Sequence, residues 1–140
     1  MASLDLPVAL GPDGISAAVE QAQGWLEEEA GVDARAAMHV ALTLDELLTN
    51  AATHGGAEGQ EAQVRLEVGA DRVAVEIVDP ATAYDPRQAP TPDFDASLER
   101  RRIGGLGVHL VIKLSRDLAY SRDKDRNRTN YWIARSVLQD

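Results

Sequence analysis

The sequence predicts an α+β domain: a two-layer α/β sandwich with helices on one face of a mixed, mostly antiparallel sheet. Three patterns carry this expectation. Two segments in the first half repeat apolar residues at helical spacing. Two pairs of short segments alternate apolar and polar residues, as hairpins do. A third, strongly apolar helix separates the pairs. Helices, hairpin, helix, hairpin is the order of an α+β fold rather than of a βαβ array.

Each element has its own reason. Leu4 to Leu10 alternates and reads as an edge strand, and Gly11-Pro12-Asp13-Gly14 turns the chain. Ile15 to Ala30 places Val19, Ala22 and Leu26 on one helical face. Gly31 ends that helix and Asp33 is placed to cap the next. The second helix runs to about His54, with Val40, Leu44, Leu47, Leu48 and Ala51 as its apolar stripe. Val64, Leu66 and Val68 alternate with Arg65 and Glu67; Val73, Val75 and Ile77 begin a partner strand ending near Asp79. Pro80 to Ile103 holds four of the six prolines and little periodicity. A loop of that length in a small domain is usually functional or disordered. Leu106 to Leu114 reads as a largely buried helix, and late strands fall near Leu118–Arg122 and Asn130–Arg135.

Composition narrows the function classes. The 140 residues suit one domain, 1–140, with one core. Apolar residues make up 44% and charged residues 26%, and no run is long enough to span a membrane. Neither a signal peptide nor any cysteine is present, so a cytoplasmic location is expected. The formal net charge of -9 argues against direct nucleic-acid binding, which needs a basic surface. It suits a basic protein partner, or simply solubility.

Two strings carry candidate chemistry. Glu46, Asn50 and His54 follow at i, i+4 and i+8, so they share one side of the second helix. A carboxylate there can take a proton from a hydroxyl or orient water. A carboxamide oxygen can ligate Mg²⁺. The spacing alone favours an ordinary solvated helix side. Gly104-Gly105-Leu106-Gly107-Val108 runs into a helix whose first N–H groups can bind an anion. It is neither a Walker loop nor a dinucleotide-binding glycine motif. Arg100-Arg101-Arg102 just before it can add positive charge near a phosphate, or be a solvated turn. Asp79 at a strand end can accept from a ligand amine or cap the turn at Pro80. The histidines lack zinc-like spacing and the aromatics are too scattered for base stacking.

Taken together, the strings resemble the GHKL ATPase superfamily, and within it the small bacterial anti-sigma-factor serine kinases. The resemblance spans about Leu4 to Ala134. Glu46-Leu47-Leu48-Thr49-Asn50-Ala51-Ala52-Thr53-His54 resembles the asparagine box of that branch. Asp79-Pro80-Ala81-Thr82-Ala83-Tyr84-Asp85-Pro86 resembles its first glycine box, and Arg102-Ile103-Gly104-Gly105-Leu106-Gly107-Val108-His109-Leu110-Val111 its second. Tyr120 and Asn127 fit the ending of the branch.

The resemblance implies a Bergerat-type ATP-binding fold and a set of roles. Glu46 would be the general base and Asn50 a Mg²⁺ ligand. Asp79 would accept from the adenine amine. His54, Ala81, Tyr84, Arg102, Leu106, Val108 and Asn127 would join the nucleotide site. Gly104, Gly105 and Gly107 would let the backbone wrap the phosphates of ATP, under a lid of residues 80–103. The implied partners are a STAS-domain anti-sigma antagonist, phosphorylated on serine, and a sigma factor, with a homodimer possible. One departure stands out: Ala81 occupies the place of a glycine. At a left-handed position its Cβ would cost about 1–2 kcal/mol. That departure motivates an alternative, the same fold as a non-catalytic partner-binding regulator with weak or no ATP binding. A sensor histidine kinase fragment is disfavoured, because too few residues precede Ile15 for a phospho-acceptor hairpin.

Overall fold

The structure is a computed structural model that describes residues 2–88 and 105–136. Its strands are β1 (Ala2–Ala9), β2 (Glu61–Val68), β3 (Arg72–Asp79), β4 (Arg116–Asp123) and β5 (Arg126–Ala134). Its helices are α1 (Pro12–Glu28), α2 (Ala34–Ala52) and α3 (Gly105–Leu114). The sheet order is β1-β2-β3-β5-β4, and every neighbouring pair is antiparallel. The expected mixed sheet is thus antiparallel throughout, because each strand joins its neighbours through a hairpin or by a return over the helical layer.

Local chemistry sets the element ends. α1 starts at Pro12, earlier than the apolar spacing indicated, since proline needs no N–H partner in the first turn. It buries Ile15, Ala18, Ala22 and Leu26. The Asp33 carboxylate caps α2 by accepting from the Arg35 N–H at 2.8 Å. α2 buries a broad stripe that includes Val40, Leu44 and Leu48, and the small Ala36, Ala37 and Ala51 let neighbours approach closely. It stops at Ala52, so His54 lies in the turn beyond it. One core fills the space between helices and sheet.

Two strands matter most for function. In β3 the buried row is Val73, Val75, Ile77 and Asp79. In β5 it is Asn127, Thr129, Tyr131 and Ile133. The register opposes Asp79 to Asn127 and Ile77 to Thr129. Both rows are apolar at one end and polar at the other, on the same sheet face and beneath the C-terminal half of α2.

Candidate nucleotide site

A cavity of about 360 Å³ opens between the end of α2 and the polar ends of β3 and β5. Asn50, His54, Asp79, Ala81, Tyr84 and Asn127 all contribute to its wall. Leu47, Ala51 and Ile77 make much of that wall apolar, as suits the flat face of a base. Arg102 and Gly104 fall outside the described residues, as does residues 89–103 of the expected lid. Residues 86–88 of that segment form a short 3-10 turn.

Asp79 is the anchor of the cavity. It is 7% exposed. Its Oδ1 accepts from the Ala81 N–H at 2.9 Å and from Asn127 Nδ2 at 3.0 Å. Both bonds fall on one oxygen, and Oδ2 has no hydrogen bond among the described residues. The turn reading of Asp79 is realised, since one oxygen closes the turn after Pro80, and the residue also lines the cavity.

Ala81 is not strained. Among the described residues only Asp117 and Lys124 combine a side chain with positive φ. The left-handed cost therefore does not arise. Its methyl is buried in a notch left by Gly55, where an added Cβ would lie 2.5 Å from the Ala81 Cβ and 2.8 Å from the Ala51 carbonyl oxygen. The Thr82 N–H donates to the Gly55 carbonyl at 3.1 Å and ties the loop to the end of α2.

Glu46 sits one helical turn before Asn50, outside the cavity wall and half-buried. It meets the first turn of α3. A Cβ on Gly107 would lie 1.8 Å from Glu46 Oε2 and 2.4 Å from its carboxyl carbon. Gly107 thus makes the space in which the Glu46 carboxylate rests. Burial first, and the nearby Asp45 second, push the Glu46 carboxyl above its usual range. Burial likewise raises the Tyr84 hydroxyl, with Asp85 adding to it. Val108 is fully buried, so only its backbone can face a ligand. Gly105 and Leu106 lie in the first turn of α3, where N–H groups lack helical partners.

Because Glu46 is the flexible partner in that contact, Gly107→Ala is expected to leave the fold intact and displace the carboxylate. Nucleotide binding should persist while phosphoryl transfer falls, by about tenfold or more. Retained transfer with normal nucleotide affinity would show that the contact is dispensable.

A family model described as a histidine kinase-like ATPase domain matches residues 8–131. The chain belongs to that family. Among curated relatives, it is similar to the serine/threonine-protein kinase BtrW of Bordetella bronchiseptica. The two are 35% identical over 103 residues, covering 70% of this chain and 72% of that protein. The GHKL resemblance is therefore shown, and nucleotide binding holds at the level of the family.

Thr129 was missed by sequence reasoning. It is buried, lines the cavity and lies opposite Ile77 in the register. Its signal was the alternation Asn127, Thr129, Tyr131, Ile133, hidden by charged and amide residues that made β5 look shorter. Arg122 was missed too: it donates to the Ala81 carbonyl at 2.8 Å from a strand that is mostly exposed.

Proposed function

We propose that this chain is a Mg-ATP-dependent protein serine kinase that phosphorylates a STAS-domain antagonist and sequesters a sigma factor, acting in the cytoplasm. The observation that carries the reading is the Glu46 carboxylate resting on Gly107. It brings a base to the first turn of the helix that follows the glycine string, one turn of α2 away from a cavity ending in Asp79.

The residues fit an adenine nucleotide. Asp79 Oδ2 is open to an exocyclic amine, the cavity walls are mostly apolar, and the start of α3 offers N–H groups to phosphate oxygens. Asn50 lines the cavity, and its carboxamide has no hydrogen bond among the described residues. It would hold Mg²⁺ together with phosphate and water oxygens, as that ion prefers. The bound ion would neutralise charge on the transferring group. Glu46 would accept the proton of the serine hydroxyl. Its raised pKa favours that step, since a base is most effective when its pKa lies nearer the working pH. The unstrained backbone of Ala81 removes the conformational argument for a ligand-free regulator.

The partners rest on the branch this chain resembles. The charge of -9 suits a clamp on a basic segment of a sigma factor. Among the described residues no helix is long and apolar enough to cross a membrane.

A ligand-stability measurement tests the reading. At 100 times its Kd, Mg-ATP is expected to stabilise the fold by about 2.7 kcal/mol. The absence of any shift at millimolar Mg-ATP would sink the kinase assignment.

A further inference from the structure

Asn127 is the hub of a hydrogen-bond network that joins three elements. Its Nδ2 donates to Asp79 Oδ1 at 3.0 Å, to the Thr82 carbonyl at 3.0 Å and to the Ala81 carbonyl at 3.3 Å. Its Oδ1 accepts from the Tyr120 hydroxyl and from Arg122 Nη1 at 3.0 Å. The same Arg122 nitrogen donates to the Ala81 carbonyl at 2.8 Å, and Arg122 Nε donates to the Lys124 carbonyl at 3.2 Å. Asn127 is 4% exposed, so water does not replace these partners.

This network admits one orientation of the amide. Turning it over would aim the NH₂ group at a guanidinium, donor against donor. It would also aim the amide oxygen at a carboxylate and two carbonyls, acceptor against acceptor. Buried mismatches of that kind cost far more than a good bond contributes. Three acceptors hold the NH₂ group and two donors hold the amide oxygen in place. Both donors lie on β4, the edge strand.

We propose that Tyr120 and Arg122 are positioning residues for nucleobase selection: by locking the Asn127 amide they saturate Asp79 Oδ1, so that Asp79 offers Oδ2 to an amine on the base. This rests on an adenine nucleotide filling the cavity. A base carrying a carbonyl in place of that amine sets acceptor against acceptor at Oδ2 and is rejected. When a donor is removed, the amide keeps its sense, because its NH₂ group still faces three acceptors, but its oxygen loses a hold; the bond to Asp79 Oδ1 then loosens and the preference weakens. Arg122 adds a second hold through the Ala81 carbonyl, which fixes the loop beside the base.

The test compares Mg-ATP with Mg-ITP, which carries a carbonyl at that ring position, by titration calorimetry on the full chain. Wild-type protein is expected to favour ATP clearly. Tyr120→Phe and Arg122→Ala should each lower the ATP-to-ITP affinity ratio by about tenfold, through weaker ATP binding. Arg122→Lys keeps a donor and should recover part of the ratio. Equal losses for both nucleotides, or an unchanged ratio in Tyr120→Phe, overturn the positioning role while leaving the nucleotide assignment intact. Wild-type protein that binds neither nucleotide overturns both.

Discussion

Glu46→Gln is expected to lower serine phosphorylation by about 10²–10⁴-fold while Mg-ATP binding stays near wild type. Glutamine keeps the shape of the side chain beside Gly107 but cannot accept a proton. Stability provides an independent check of the environment. The Glu46 carboxyl is raised by burial and then by Asp45. A raised acid pKa means that the folded state prefers the protonated form. Ionising Glu46 therefore costs stability above its folded pKa, and the cost vanishes as pH falls below the unfolded value. Glu46→Gln should consequently be more stable than wild type at pH 7, with the gap closing near pH 4 in urea denaturation. Asp45→Asn removes the second cause, so the acid limb of kcat/KM should move to lower pH. Transfer that survives in Glu46→Gln would remove Glu46 from the base role. A stability gap that does not depend on pH would contradict the burial argument.

Gly55→Ala is expected to damage both fold and site. The new methyl would meet the Ala81 Cβ at 2.5 Å and the Ala51 carbonyl oxygen at 2.8 Å. Overpacking of this kind costs about 1–3 kcal/mol. It also drives the 81–83 loop into the cavity, so ATP affinity should fall together with stability. Adding Ala81→Gly relieves the first clash and leaves the backbone oxygen in place, so the double variant should recover affinity more than stability. Ala81→Gly alone should not tighten ATP, because the alanine backbone is relaxed. It should instead lose about 1 kcal/mol of stability from the vacated notch and added chain freedom. Tighter ATP binding by Ala81→Gly would show that the methyl crowds the base after all. Additive effects in the double variant would show that residues 55 and 81 are uncoupled.

These two sites differ in how far they could be read from the chain. Glu46 and Asn50 stood out because helical spacing fixes their mutual geometry within one element. Asp79 was legible for a similar reason: strand alternation puts it on the same face as Val73, Val75 and Ile77. The helical and strand segments were recognisable wherever an apolar period was strong. The boundaries were less so. β5 was read from Asn130 although it begins at Arg126, because its first buried positions, Asn127 and Thr129, are polar. Burial of those two is decided by what lies across the sheet from them, Asp79 and Ile77.

Gly107 and Ala81 show the opposite case. Each was singled out by its motif, and each also meets a packing demand that its motif does not imply. Gly107 accommodates a carboxylate from α2, and Ala81 is matched by a glycine 26 positions earlier in the chain. No period or spacing encodes such a pairing, since it depends on the separation of two elements. The same holds for Arg122 and Tyr120, which would pass for ordinary edge-strand residues until β4 is placed beside β5.

The chain alone determined which segments are helices and strands and the α+β class, and it singled out Glu46, Asn50 and Asp79 as the candidate base, amide and acceptor carboxylate of a nucleotide site. Those follow from local periodicity and from short motifs held within single elements. Only the tertiary structure decided that the sheet is antiparallel throughout, that Glu46 rests on Gly107, that Ala81 fits the Gly55 notch, and that Asn127 bridges Asp79 and the edge strand β4. The physical reason is that packing and hydrogen-bond direction are set by atoms distant in sequence, and their sign is fixed only when the elements come together.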